Sequence, residues 1–156
     1  MAPSMQWQQH SFNQLDSHTL YDILKLRVDV FVVEQCCYYP ELDELDRQAD
    51  TLHIYGYQQQ QLAAYLRCLA PGVVYDNYAA IGRVVTAAEF RGQGLGHQLI
   101  EQGIEACQKH WPQQHIKLSA QAHLQDYYRQ HNFSPVGEIY LEDNIEHITM
   151  VHQPPA

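Results

Sequence analysis

Ala79-Ala80-Ile81-Gly82-Arg83-Val84-Val85-Thr86, then Arg91-Gly92-Gln93-Gly94-Leu95-Gly96, then Leu99, Ile100, Ile104, Cys107 and Trp111 continuing from Leu95: the stretch from Ala79 to His110 decides the fold. Its first run is short, apolar and β-branched, which predicts a buried strand. The spacing of its last set predicts a helix with one apolar face. A glycine-rich turn between the two leaves several backbone N–H groups at the helix N-terminus without intrahelical partners. Such an end draws anions through its donors and its dipole. Alternate glycines let the backbone approach a bulky phosphate, because no Cβ stands in the way. A phosphorylated ligand is expected at Arg91 to Gly96.

The kind of phosphate ligand can be narrowed. A P-loop needs Gly-Lys-Ser/Thr, and here His97 follows Gly96. A dinucleotide fingerprint needs its third glycine where His97 stands. The spacing Arg-x-x-Gly-x-Gly directly after a strand instead resembles the pyrophosphate loop of the GNAT superfamily of N-acetyltransferases, which bind acetyl-CoA. A glycine turn that only seats a helix on a sheet is the alternative for the hexapeptide taken alone.

Outward from that stretch, 156 residues predict one domain, 1–156, with a full-sized core. Hydrophobic content of 46% and charged content of 17% are those of a globular protein rather than a disordered one. No apolar run approaches the roughly 20 residues that span a bilayer, and Met1-Ala2-Pro3-Ser4 opens no signal peptide, so a cytoplasmic location is expected. The formal net charge of -9, from 9 Lys and Arg against 18 Asp and Glu, argues against nucleic acid. A cationic amine is favoured by that field, whereas CoA must be held locally, with Arg91 and then Arg129 as the nearby cations. Cys36, Cys37, Cys68 and Cys107 form no Cys-x-x-Cys, and the 10 histidines lack ligand spacing, so free thiols and no metal are expected.

In chain order, Met5 to Phe12 is a weak strand. Asp16 and Ser17 are N-caps for a helix carrying Leu20, Ile23, Leu24, Val28 and Phe31 to about Val33. Pro40 stops helix, and the acidic Glu41 to Asp46 run is expected as a solvated loop or short helix. Leu52 to Tyr57 and Leu62 to Leu69 are strands around a turn at Gln58 to Gln61; Pro71 to Asn77 is a loop. After the glycine loop and its helix come a strand, Ile116 to Gln121, a helix, Ala122 to His131, and a hairpin, Val136 to Leu141 and Ile145 to Val151. Gln153 to Ala156 is a frayed tail.

That order matches the GNAT fold, and a second motif agrees. Gln121 to Phe133 resembles the superfamily's Asn-x-x-Ala-x-x-Phe-Tyr-x-x-x-Gly-Phe segment, with Gln121, Leu124 and Asn132 departing from it. Asn132 is a mild exchange, since Asn tolerates the left-handed conformation at a helix end. Arg27 to Gln35, then Cys37, Tyr39 and the Asp43/Asp46 run, with His53, Ile81-Gly82-Arg83-Val84, Ala120 to Leu124 and Glu142 to Met150, looks like the ElaA family within that superfamily. The resemblance implies a GNAT acyl-CoA N-acyltransferase fold of class α/β, a central mixed sheet of six to seven strands flanked by about four helices. It also implies acetyl-CoA as cosubstrate and direct acetyl transfer, in a ternary complex, to a small-molecule or peptide amine. No nucleic acid or membrane partner is implied, and a homodimer is left open.

The same resemblance implies that backbone groups of Val84, Val85 and Thr86 pair with the pantetheine arm, one N–H serving the oxyanion. Arg91, Gly92, Gln93, Gly94, Leu95 and Gly96 would hold the pyrophosphate, and the Gln121 amide would reach CoA. Tyr128 falls on the general-acid position. Reference values of roughly 10 for Tyr and 8.5 for a thiol make full proton transfer uphill by about 2 kcal/mol, so a hydrogen bond to the developing thiolate suffices. For the base, Glu34 at the end of the first helix and His147 between Ile145 and Ile148 are the candidates. Glu34, Arg83 and His53 are candidates on the acceptor side, and Arg83, in an apolar strand, needs a carboxylate partner such as Glu34 or an acidic substrate group. Structural roles stand beside each: a surface cap for Glu34, satisfied core histidines for His147 and His53. Rival functions are an acyl-homoserine-lactone synthase, whose fold is related, and a non-catalytic acyl-CoA-binding module. A covalent cysteine route is disfavoured because no cysteine neighbours the glycine loop in sequence.

Overall fold

The computed structural model describes residues 4–153; the opening Met1–Pro3 and the Pro154–Ala156 part of the expected tail lie outside them. Seven strands form one mixed sheet: β1 (Gln6–His10), β2 (Leu52–Gln58), β3 (Gln61–Leu69), β4 (Tyr78–Thr86), β5 (His115–Gln121), β6 (Phe133–Glu142) and β7 (Ile145–His152). Their order across the sheet is β1-β2-β3-β4-β5-β7-β6. Every neighbouring pair is antiparallel except β4 and β5. The helices are α1 (Ser17–Arg27), α2 (Leu95–His110) and α3 (Gln125–Arg129). This is the mixed-sheet architecture that the motif order predicts.

Local chemistry sets the boundaries. Asp16 Oδ1 accepts the Thr19 N–H at 2.7 Å and starts α1. The β-branched Val28, Val30, Val32 and Val33 then crowd the helix, and the chain runs on as a wider π-helical segment, Val28–Glu34. Cys36, at φ 59, turns the chain sharply out of it. The β2–β3 hairpin turns on Gln59 and Gln60 and the β6–β7 hairpin on Asp143 and Asn144, all four with positive φ, the backbone that matches strand twist. Asn132, at φ 68, takes the left-handed place after α3.

Period-two alternation divides the core between two faces. Ala64, Leu66 and Cys68 of β3 pack with Leu99, Ile100 and Cys107 of α2. Ala63 and Tyr65, one residue out of phase, pack with Ile23 and Leu26 of α1. On β4 this alternation breaks. Tyr65 pairs with Val85 but Arg67 pairs with Gly82, so β4 carries one extra residue, and Arg83 sits there at φ 52. The bulge inverts parity: Ile81 faces α2, yet Val85, four residues on, faces α1. It also turns the Arg83 side chain to the α1 side.

That side holds a feature the acidic run did not predict. Far from being solvated, Glu41 and Asp46 are buried. Glu41 Oε2 accepts from Arg27 Nε at 2.7 Å and from Arg83 Nε at 2.8 Å. Asp46 Oδ1 accepts from Arg27 at 2.8 Å and Arg67 at 2.9 Å, and Asp43 takes Arg67 at 2.7 Å and 2.9 Å. Three guanidinium groups from α1, β3 and β4 converge on three carboxylates of one loop because Arg27 and Arg67, buried, and Arg83, half-buried, each need a counter-charge in an apolar element.

Candidate active site

β4 and β5 run parallel for only three residue pairs, Tyr78 with His115 to Ala80 with Lys117. Beyond Ala80 the two strands separate, and the edge of β4 toward β5 has no strand partner out to Thr86. Backbone donors and acceptors on such an edge accept an extended ligand as they would a strand. A cleft of about 280 Å³ occupies the opening. Gly82, Arg83 and Val84 line one wall, Leu118, Ser119 and Gln121 the other, and Tyr128 and His147 close it.

Past Thr86 the chain makes a short turn, Ala88–Phe90, and enters the glycine loop. Gly92 and Gly94 take φ of 84° and 77°, and a Cβ on either would meet nothing within 4 Å, so the loop is open to solvent there. Gly96 serves packing instead. A Cβ there would come 2.6 Å from the Tyr127 hydroxyl, so this glycine seats α2 against α3. No side chain caps α2, whose N-cap is Gly94, and its first-turn amides stay available to a ligand.

The sequence candidates divide. Val84, Gln121, Tyr128, Arg83 and His147 share the cleft. Val85 is buried in the α1-side core, and the Thr86 carbonyl accepts Arg91 Nε at 3.3 Å. Burial pushes the Tyr128 hydroxyl well above its ordinary value, which keeps it protonated and makes it a poorer proton donor than a free tyrosine. Gln121 and Gln35 approach to 3.5 Å, the outer limit of a hydrogen bond.

The suggested Glu34–Arg83 pair does not form. Arg83 goes to Glu41, and Glu34 accepts both terminal nitrogens of Arg91, at 2.9 Å and 2.6 Å. The cause is the bulge, which aims Arg83 at the acidic loop while the π-helical segment ends beside the glycine loop. Arg91 holds the Glu34 carboxyl below its usual range, and Glu34 lies outside the cleft lining. His53 also lies outside it. Its Nε2–H donates to the Asp46 carbonyl at 2.9 Å and its Nδ1 accepts from Tyr65 at 2.7 Å, so both nitrogens are used inside the protein.

Residues to which the sequence assigns no site role also line the cleft: Cys37, Tyr39, Tyr75, Glu142 and Asp143. Cys37, distant from the glycine loop in sequence, is thus a cleft residue. Burial, and then the nearby Asp143 carboxylate, pushes its thiol up, away from a nucleophilic thiolate. Burial, and then Glu41, pushes Tyr39 up to about 12. Glu142 and Asp143 sit at the tip of the β6–β7 hairpin, where the Asp-Asn turn signal marks a loop but carries no sign of where the loop points. Among the described residues no group of His, Cys, Asp and Glu is placed to hold a metal ion, and no helix is long and apolar enough to cross a membrane.

Comparison with known proteins agrees with this geometry. The family model "Acetyltransferase (GNAT) domain" matches residues 22–153. The protein ElaA of Escherichia coli is 40% identical over 149 residues, 96% of this chain and 97% of ElaA, and its crystal structure superposes with a TM-score of 0.90. An acyl-CoA N-acyltransferase from Pseudomonas aeruginosa is 47% identical, with a TM-score of 0.91 over 96% of this chain and 100% of that one. A CoA-dependent acyl-homoserine lactone synthase, BjaI, superposes at 0.78 over 95% of this chain and 82% of its own, but at 16% identity it shares the fold alone.

Proposed function

The chain belongs to the GNAT acetyltransferase family, and from that premise we propose that it is a cytoplasmic, single-domain N-acetyltransferase that moves the acetyl group of acetyl-CoA to an amine. The observation that carries this reading is the wedge between β4 and β5, opening toward the glycine loop with Tyr128 at its wall. In this reading the loop amides and Arg91 hold the pyrophosphate, and pantetheine lies along Val84 to Thr86 as an added strand. The thioester then sits beside the bulge at Arg83, where a β4 amide stabilises the oxyanion. Tyr128, kept protonated by burial, donates a hydrogen bond to the sulfur as the thiolate leaves. His147 stands across the cleft to take the amine's proton.

Transfer is direct, so initial-rate plots against acetyl-CoA at several amine concentrations should intersect. Parallel lines would mean a covalent acyl-enzyme and would turn attention to Cys37. Tyr128→Phe should lower kcat by about 10- to 100-fold with acetyl-CoA affinity unchanged, because the hydroxyl matters only as charge develops on sulfur. An unchanged kcat with chemistry rate-limiting makes Tyr128 a packing residue.

The Glu34–Arg91 pair competes with the pyrophosphate for the same guanidinium. Glu34→Gln should therefore tighten acetyl-CoA binding by about two- to fivefold, the scale of an exposed ion pair, with the gain shrinking in high salt. Calorimetric titration at two salt concentrations reads this. A fall in kcat with unchanged affinity would instead assign Glu34 to the proton transfer.

A further inference from the structure

His147 is set by a relay of contacts that crosses three strands. On β7 its Nδ1–H donates to the Ile145 carbonyl at 2.8 Å, which can only accept, so the neutral ring carries its hydrogen on Nδ1. Its ring stacks on Tyr140 of β6, with centroids 6.2 Å apart at 25°. Tyr140 in turn hydrogen-bonds Ser119 on β5. His147 is 8% exposed and lines the cleft with Tyr128. Its remaining nitrogen, Nε2, lies 3.3 Å from Glu142 Oε2. In the neutral ring both of these atoms are acceptors. Two acceptors this close can each take a hydrogen from one donor seated beside them.

We propose that Nε2 of His147 and the carboxylate of Glu142 together receive the acceptor's ammonium, His147 taking the proton and Glu142 positioning the amine and facing the imidazolium that forms. The inference rests on the acetyltransferase reading and names its acceptor. One ammonium hydrogen goes to Nε2, leaving a neutral amine whose electron pair attacks the thioester carbonyl. The carbon–sulfur bond breaks, the second proton leaves the nitrogen for the thiolate, and the imidazolium Nε2–H donates to Glu142 before releasing its proton to solvent. One acetyl group, one CoA thiol and one released proton balance the step. The other groups facing His147 are Tyr140 on β6 and Asp143 in the turn, with Tyr75, Cys37, Tyr39 and Arg83 across the cleft.

The same arrangement selects the acceptor class. Arg67 and Arg83, the two cations in the cleft lining, are already neutralised by Glu41, Asp43 and Asp46. Asp143 makes no ion pair among the described residues, and Glu142 has only His147. An amine bearing its own carboxylate meets repulsion at this end, whereas one bearing a second ammonium is drawn to Asp143. The acceptor is an amine or diamine, not a free amino acid.

The full chain with acetyl-CoA, 1,4-diaminobutane and 4-aminobutyrate provides the test. Wild type should prefer the diamine by at least about tenfold in kcat/KM, and replacing both carboxylates, Glu142→Gln with Asp143→Asn, should erase that preference. His147→Gln should lower kcat at pH 7 by about 100-fold with acetyl-CoA affinity unchanged. Its residual rate should climb about tenfold per pH unit from 7 to 9, following the free-amine fraction. Independently of turnover, the imidazole 15N signals of His147 should move when the diamine is added, and not in Glu142→Gln. A wild-type pH profile in His147→Gln, equal use of the two acceptors, or unmoved imidazole signals overturns the inference. Loss of acetyl-CoA binding in the wild type itself would overturn the acetyltransferase reading instead.

Discussion

Gly94→Val is expected to lose acetyl-CoA affinity by at least about 100-fold, or roughly 2.7 kcal/mol, while the protein remains folded. Two effects add. Gly94 sits at φ 77, a region that a β-branched residue enters only with strain of order 1–3 kcal/mol, so the loop must change its path. Its Cβ would also stand in the open space before the first-turn amides of α2, the space that the pyrophosphate is proposed to occupy. That space is empty of protein atoms within 4 Å, so the substitution does not collide with the core. Calorimetric titration paired with a thermal melt separates binding from folding. A folded variant that binds with wild-type affinity removes the glycine loop from the site.

Arg27→Met should cost about 3–5 kcal/mol of stability, the largest effect expected of any single change in the charge network. Arg27 is fully buried and bonds Glu41 and Asp46 together. Met keeps most of the volume but leaves buried Glu41 with Arg83 alone and buried Asp46 with Arg67 alone. Glu41 Oε1 already lacks a partner, so the loss adds to an existing deficit. Urea unfolding reads the change; a loss below about 1 kcal/mol would mean that water or rearrangement satisfies the pair. The network also sets an acid limit. Burial pulls the Asp46 and Asp43 carboxyls up, but the arginines outweigh it and hold both below the ordinary value of 3.8. Their contribution is therefore complete above about 3.8 and is lost as pH falls through the lower folded values. His53 acts earlier. Burial depresses it from 6.5, so protonation opposes the fold as soon as pH falls below 6.5. Stability should thus decline in two stages on acidification, and His53→Gln should soften the first.

How much was legible follows from the range of each signal. The glycine loop, the helix after it and both hairpin turns are written in adjacent residues, and each lies within a residue or two of its expected place. Tyr128 and Gln121 were placed by motif and do line the cleft. The bulge at Arg83 was not legible, because one extra residue in a strand leaves the run apolar and β-branched; it shows only against the partner strand's register. The buried acidic loop was hidden for a related reason. Carboxylate and guanidinium groups scattered between Arg27 and Arg83 look solvated until three elements meet. One sign was present: Arg27, Arg67 and Arg83 each interrupt an apolar stretch, and each such arginine demands a carboxylate. Glu142 was missed because a hairpin tip has no periodicity from which to read its direction.

Thiol release from acetyl-CoA, followed with and without 1,4-diaminobutane and matched to the acetylated amine formed, tests the central claim most directly. Direct transfer predicts release that requires the amine, saturates in both substrates and yields one acetylated amine per thiol. Release that proceeds equally without any amine, or acetyl-CoA that binds without release whichever amine is supplied, would contradict it.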